Sequence, residues 1–466
     1  MEPTTDTSQW AQADARTLST QKMLFRKITL RVMPLVFIAY VFAFLDRVNI
    51  GYAKLQMAPE LGLTDSQYGL AAGIFFIGYA LFEIPSNILL DKIGARKTMT
   101  RIMILWGITS AMTMFVSTAQ QLYILRFFLG VFEAGFFPGV ILYLSYWYPS
   151  YLRGRATATI MIATLVAPIL GGPISALIMQ HFHHVGGWSG WQWLFLLEAL
   201  PIIVIGVVCF FLLCDRPSQA QWLSPDEQAL HKEVMDRDLK AADAHTSHQD
   251  KDALLTAFLD PRVYVLAFLY FSSALGTYTF NFWLPTTIQK MGVTDLTHIA
   301  LYAMFPFTCA ALGMFLVGRS SDLRRERRWH YTLSILFGAL MMSLSTFAGD
   351  SLLLSLLLLG AAAFGFSGAI IVCWAIPSTY LRGKAAPAGI ALVSSLGVTC
   401  GFVGPALIGF VRDLTGKDHA GLYVISAIMV IAALVMLFLT PKRALHVGSS
   451  GELDSIHGTG LSVSQK

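Results

Sequence analysis

The chain alternates between long apolar stretches and short polar ones. Crossing ~30 Å of hydrocarbon takes about 20 mostly apolar residues. Twelve stretches qualify: 28–52, 66–90, 98–117, 120–145, 155–180, 191–214, 262–290, 298–318, 331–348, 351–376, 386–411 and 420–440. Between the sixth and seventh lies a polar run, Asp215–Asp260, rich in Asp, Lys, Gln and His. The pattern predicts an all-α membrane protein of twelve transmembrane helices in two six-helix bundles. Its expected parts are a tail (1–27), a first bundle (28–214), a central loop (215–260), a second bundle (261–440) and a Gly/Ser-rich disordered tail (441–466). The first 20 residues are polar and contain no short apolar core, so no signal peptide is expected.

The two halves repeat. Asn87-Ile-Leu-Leu-Asp91-Lys-Ile-Gly94-Ala-Arg96-Lys97 follows the second stretch, and Gly318-Arg-Ser-Ser-Asp322-Leu-Arg-Arg325 follows the eighth. Pro149-Ser-Tyr-Leu-Arg153-Gly154-Arg155 follows the fourth, and Pro377-Ser-Thr-Tyr-Leu-Arg382-Gly383-Lys384 follows the tenth. Two matched loop pairs at nearly one offset indicate a duplicated six-helix unit, hence pseudo-symmetric bundles with a site expected between them.

Composition agrees with the pattern. Only 13% of residues are charged and 55% are hydrophobic, against roughly 25% charged in soluble domains. The net charge of +5 therefore belongs to membrane topology and implies no nucleic-acid partner. Of the 33 Lys and Arg, Arg47 and Arg126 fall within spans. Lys54, Lys290, Arg412 and Lys417 fall on one side, and the rest on the side of both termini. That bias predicts cytoplasmic termini. The five cysteines sit in or beside apolar stretches and match no metal spacing. His181-Phe-His183-His184 has no Cys or carboxylate partner nearby, so no metal is expected.

A charge at mid-membrane costs roughly 2.5–3.5 kcal/mol on insertion scales, so the charges inside spans call for a reason. Leu122–Gly139 carries Arg126 and Glu133 on one helical face, about two turns apart. At ~1.5 Å per residue, Asp46, Arg47 and Arg126 are expected about 9 Å below the outer surface and Glu133 about 20 Å deep. This places an arginine pair and a deeper acid at separate heights. Two guanidiniums suit a carboxylate, since Arg binds it bidentately and never loses its charge. Asp46 and Glu133 are the candidate proton carriers, because burial favours their neutral form and a nearby Arg favours the ion. Static ion pairing between helices is the alternative reading. Tyr79, Tyr278, Asn281, Trp374 and Ser394 are candidate substrate contacts, alongside Trp283, Ser367, Ser395 and Thr399. Glu83, Asp91, Arg96 and Asp322 are candidate gating residues at helix ends, and Glu198 is read as structural.

The chain resembles the major facilitator superfamily and, within it, the anion:cation symporter family. The residues that carry this are Phe44-Leu-Asp46-Arg47-Val-Asn49-Ile-Gly51, Glu83-Ile-Pro85-Ser-Asn87, Glu133-Ala-Gly135-Phe-Phe-Pro138-Gly139, Trp191-Gln-Trp193-Leu-Phe195 and Phe402-Val-Gly404-Pro405. The resemblance implies the same roles, with acids for proton coupling and arginines for the anion. Its members carry sugar acids, tartrate, phthalate, hydroxyphenylacetate and similar carboxylates. Many have an Ile-Asn-Ser-Ile-Gly-Asn stretch where this chain reads Val393-Ser394-Ser395-Leu-Gly397-Val398. The missing amides count against a heavily hydroxylated substrate.

The expectation is a secondary transporter, not an enzyme. It would import an organic anion by proton symport, with the proton as coupling ion and no cofactor. It would be a monomer in the lipid bilayer of a bacterial inner membrane. An anion exchanger of the same fold is the first rival. A membrane sensor is the second, and Asp215–Asp260 is short for its output region.

Overall fold

The computed structural model describes residues 7–243, 258–349, 351–377, 386–417 and 419–440. Sixteen α-helices lie among them. The first group is α1 (Thr7–Leu61), α2 (Asp65–Ile93), α3 (Ala95–Met112), α4 (Ala119–Glu133), α5 (Phe136–Trp147), α6 (Ser150–Met161), α7 (Ala163–His181) and α8 (Gly190–Leu212). Helix α9 (Pro225–Asp243) follows, and then α10 (Pro261–Lys290), α11 (Leu296–Arg324), α12 (Arg328–Leu344), α13 (Leu352–Trp374), α14 (Ala386–Val398), α15 (Cys400–Thr415) and α16 (Ala420–Leu439). Eleven helical stretches are long and apolar enough to cross a membrane. The twelfth expected span corresponds to α3, where Arg96, Lys97 and Arg101 dilute the apolar character of 18 residues. The second loop of the closer repeat pair falls largely on 378–385, outside the described residues, as does the tail 441–466.

The span expected over 120–145 is two helices rather than one. Thr118 caps α4 by accepting the amide of Gln121. The helix then stops at Glu133, because Ala134 turns extended (φ −55°, ψ 135°) and Gly135 is left-handed at φ 83°. Only glycine adopts that conformation without strain, and a Cβ there would run into the Ser86 side chain. Glu133 is thus the last residue of a helix broken inside the membrane, where free backbone groups must be met by neighbours.

In the first bundle α2 packs on α4, α3 on α8, and α1 on α7 and α8. In the second α11 and α12 both pack on α13, with α16 beside α12 and α14 beside α10. The bundles meet where α2 crosses α15, α1 crosses α10 and α7 crosses α11. The side-chain contacts across these crossings lie at the end away from the termini. A Cβ on Gly69 would strike the Pro405 carbonyl, and one on Gly409 the Asp65 carbonyl. Gln180 Nε2 donates to Asp295 Oδ2 at 3.0 Å and Thr297 donates to Gln180 Oε1 at 2.8 Å. Toward the termini α2 loses its cover: Tyr68, Ala71, Ala72 and Phe75 are buried, whereas Leu81, Phe82, Ile84 and Ile88 are exposed. Among the described residues, the bundles are closed on each other at the end away from the termini.

The central segment, read as a loop, carries α9 against the first bundle. Ser224 caps it reciprocally with Glu227, and Lys27 Nζ reaches Glu227 Oε2 at 2.7 Å. Trp222 stacks on Trp147 with centroids 5.5 Å apart, and the His231 ring meets the Trp147 carbonyl at 3.1 Å. The Lys27 hydrogen bond, with the Ser224 amide, holds the Glu227 carboxyl below its usual range. Its contribution is therefore present at neutral pH and is lost as pH falls through that lowered value.

The α2–α4 crossing is the tightest within the first bundle. A Cβ on Gly130 would overlap the Phe75 carbonyl, and one on Gly78 the Phe127 carbonyl. Overpacking a fixed core typically costs about 1–3 kcal/mol. Gly130→Leu should therefore lower the thermal unfolding midpoint of the detergent-purified protein by several degrees. Gly154→Leu, with open space around it, should leave the midpoint where it is. Equal midpoints for the two variants would refute this packing.

Candidate functional site

The buried residues of α4 are Leu122, Arg126, Leu129, Gly130 and Glu133, which form one helical face. This face is turned to α2, as the charges on it require. Arg47 reaches it from α1. Its Nη2 lies 2.5 Å from Glu133 Oε1, and its Nε donates to the same oxygen at 2.7 Å. The expected separation of Glu133 from the Arg47 level is therefore corrected. The Arg47 side chain binds the acid directly, a reach that counting backbone rise leaves out. The neighbours Asp46 and Arg47 do not pair with each other.

Arg47 is enclosed by rings. Its guanidinium carbon is 5.0 Å from the Phe44 centroid, 5.1 Å from Tyr79 and 5.5 Å from Phe75. Tyr278 of α10 packs edge-on against Phe76 of α2 at 4.8 Å. Arg47 keeps 12% of its side-chain surface accessible, while Glu133 keeps none. Arg126 is 1% exposed and sits 5.4 Å from the centroid of the same Phe75 ring. Its Nε, Nη1 and Nη2 are buried without a hydrogen-bond partner, as is Glu133 Oε2. A buried cation of this kind is strongly destabilising unless something pairs with it.

Asp46 faces the other way, toward α3. Trp106 Nε1 donates to its Oδ2 at 2.8 Å, Ser110 Oγ donates to Oδ1, and Asn49 Nδ2 approaches Oδ1 at 3.3 Å. Three donors and no acceptor suit an ionised carboxylate. Asn49 also donates to Glu198 Oε2, and Ser175 donates to Glu198 Oε1, both at 3.0 Å.

The other candidates disperse. Asn281 is buried where α1 crosses α10, with its backbone carbonyl against Gly51. Trp374 is 37% exposed and packs edge-on against Tyr270 at 4.8 Å. Ser394 is half-buried on α14. Glu83 is half-buried within the uncovered stretch of α2. The Arg96 amide is capped by Asp215 at 2.7 Å and its guanidinium lies over Phe210. Asp322 is exposed near the end of α11, and the Asp91 side chain falls outside the described residues. Trp283 is buried at the closed end rather than beside Arg47.

That closed end is a charged cluster the sequence reading passed over. Lys54 Nζ bonds Asp65 Oδ1 at 2.6 Å and lies 3.7 Å from the Trp283 centroid. Arg412 covers the same ring at 4.4 Å and approaches Asp65 Oδ2 at 3.9 Å. The Ser66 amide donates to Asp413 at 2.9 Å, and Tyr68 OH donates to the Phe282 carbonyl at 2.8 Å. Lys54 and Arg412 were visible as two of the few basic residues on the sparse side of the chain. Their use in a seal appears only once α1, α2, α10 and α15 converge.

The family model described as the Major Facilitator Superfamily matches residues 36–405 and 266–459. A putative metabolite transport protein, NicT, of Pseudomonas putida is 43% identical over 421 residues, covering 90% of this chain and 95% of that one. A putative tartrate transporter of Agrobacterium vitis is 43% identical over 417 residues, covering 90% and 94%. Among solved structures, an inward-facing, unoccupied bacterial homolog of the human lysosomal transporter Spinster superposes with a TM-score of 0.74. It is 15% identical and covers 90% of this chain and 98% of that one.

Asp65 is the acid that Lys54 and Arg412 share over one Trp ring. Asp65→Ala should leave two cations facing each other and loosen the closed end. A cysteine placed at Asn281 should then react several-fold faster with a membrane-impermeant thiol reagent. An unchanged labelling rate would remove Asp65 from the seal.

Proposed function

The chain belongs to the major facilitator superfamily, and we propose that it imports an organic carboxylate together with protons by alternating access. It is a multi-pass membrane transporter rather than an enzyme. The observation that carries the proposal is Arg126, a buried guanidinium with all three nitrogens unpartnered, beside an Arg47 that is already paired. Such a site is complete only when an anion enters it. The relatives named for tartrate and metabolite transport support a small organic acid as that anion.

The cycle follows from the pairing. With Glu133 ionised, Arg47 is neutralised and turned away from substrate. A proton on Glu133 releases Arg47, and Arg47 with Arg126 then clamps the carboxylate around Phe75. Tyr79 and Tyr278 line the same place. Asp46, held by Trp106 and Ser110 on the far side of α1, is the second proton carrier. A monocarboxylate with one proton moves no net charge, and a second proton would add roughly 2.3 kcal/mol per 100 mV of membrane potential.

With both termini cytoplasmic in a bacterial inner membrane, the sealed Lys54–Asp65–Arg412 end faces outward and the arrangement is inward-facing. Opening then means parting α2 from α15 and α1 from α10 at their glycines. Asp322, Glu83 and the Asp91–Arg96 loop lie at the ends that close in exchange. The site needs no cofactor and the transporter acts as a monomer.

Glu133→Gln should abolish proton-driven accumulation in proteoliposomes while counterflow of labelled substrate persists. Normal accumulation by this variant would remove Glu133 from coupling. Arg126→Ala should abolish ligand-induced thermal stabilisation across a panel of carboxylates. Removing a charge-assisted pair costs about 1.5–3 kcal/mol, which is more than tenfold in affinity. Retained affinity would refute the clamp.

A further inference from the structure

Behind the Arg47–Glu133 pair lies a second group of acids that the cycle above does not fully use. Asp46 is 1% exposed and Glu198 is 3% exposed. One amide group joins them: Asn49 Nδ2 donates to Asp46 Oδ1 at 3.3 Å and to Glu198 Oε2 at 3.0 Å. Every other contact is neutral. Trp106 and Ser110 of α3 serve Asp46, and Ser175 of α7 serves Glu198. From α1, Arg47 is turned away to Glu133. From α4, the charge of Arg126 reaches Asp46 without a hydrogen bond. On Glu198 the acting charge is that of Asp46 itself.

Two carboxylates cannot both stay ionised when buried and bridged by one amide with no cation in contact. The donors decide where a proton rests. Asp46 accepts from three donors, which suits an ion. Glu198 accepts from two, so its ion is the less supported of the pair.

We propose that Asp46 and Glu198 form one proton-holding unit, bridged by Asn49, in which Glu198 carries the shared proton at rest. The pair, rather than Asp46 alone, is then the second proton site of the transport cycle. The proton comes from the aqueous phase, binds a carboxylate oxygen and leaves the same way, with no other bond changed. Coupled acids titrate as a pair, so the behaviour of either depends on the other. This rests on the proton-symport reading given above.

The test uses the full chain in proteoliposomes, with gradient-driven uptake of a transported carboxylate followed against pH. Glu198→Gln leaves a single acid without the neighbouring charge that favours its proton. The uptake midpoint should move about one unit toward acid. Ser175→Ala removes a donor that stabilises the ionised Glu198, so the proton is held to higher pH and the midpoint should move toward alkali. Packing damage alone would not drive the two variants in opposite directions. The midpoint is read from the shape of the profile, so a slower variant is scored as readily as a fast one. Should Glu198→Gln fail to insert, the Ser175→Ala shift decides. Profiles that coincide with the parent overturn the proton-holding pair and leave symport standing. Parent uptake that ignores the pH gradient overturns both.

Discussion

A guanidinium cannot shed its charge, and in a low-dielectric interior its cost must be met by a partner. Among the described residues, Arg47 of the first bundle is paired, whereas the buried Arg126 has no hydrogen-bond partner. Glu133 meets Arg47 with a single oxygen, while its second oxygen and the Arg126 head group, which lies over Phe75, are unpaired. Much of the surrounding architecture serves to keep this imbalance in place. The break at Ala134–Gly135 ends α4 at Glu133, and the missing side chain of Gly130 lets α2 press Phe75 against the Arg126 face.

The same constraint separates the roles of the bundles. From the second bundle, Tyr278 meets the first through Phe76, its ring edge-on at 4.8 Å. Arg412, Asp413 and Asp295 of that bundle touch the first, all at the closed end. Charge balance at the site is thus settled within the first bundle, and the second is free to move relative to it. The Arg412–Asp65 pair at the closed end is formed between bundles and can be exchanged for water when that end opens. A dry apolar seal of the same area would be harder to part.

Much of this was legible in the chain. The spans, their pairing into halves and the charged face of α4 follow from hydropathy and helical period, which are local properties. The height of Glu133 relative to Arg47 was misjudged because a long side chain adds several ångströms that the ~1.5 Å rise per residue omits. The closed-end cluster escaped because Arg412 lies on α15, far along the chain from Lys54 on α1 and Asp65 on α2. Their significance depends on which helices cross. Trp283 was read as a substrate contact for the same reason: a helical residue shows its face but not the helix opposite. Glu198 was set aside because its helix lies at the rim of the bundle, although its side chain points inward to Asn49 and Ser175.

Asn49 shows how close packing can turn a structural amide into a link between charges. It lies one turn beyond Asp46 on α1, so the two share a face toward α3 and α8, while Arg47 is rotated by about 100° to the opposite side. One helix thus presents an acid network to its rear and a cation to its front. A change of charge behind α1 is felt in front through a distance of a few ångströms in a medium that screens weakly. Arg126 is the group on which both sides act, since the charges of Asp46 and Glu133 both reach it. A proton on either acid leaves Arg126 less compensated and strengthens its attraction for an anion. Binding the anion in turn raises the cost of an ionised acid beside it. In the proposed symport, proton and substrate would thus favour each other's presence, the linkage that coupling requires.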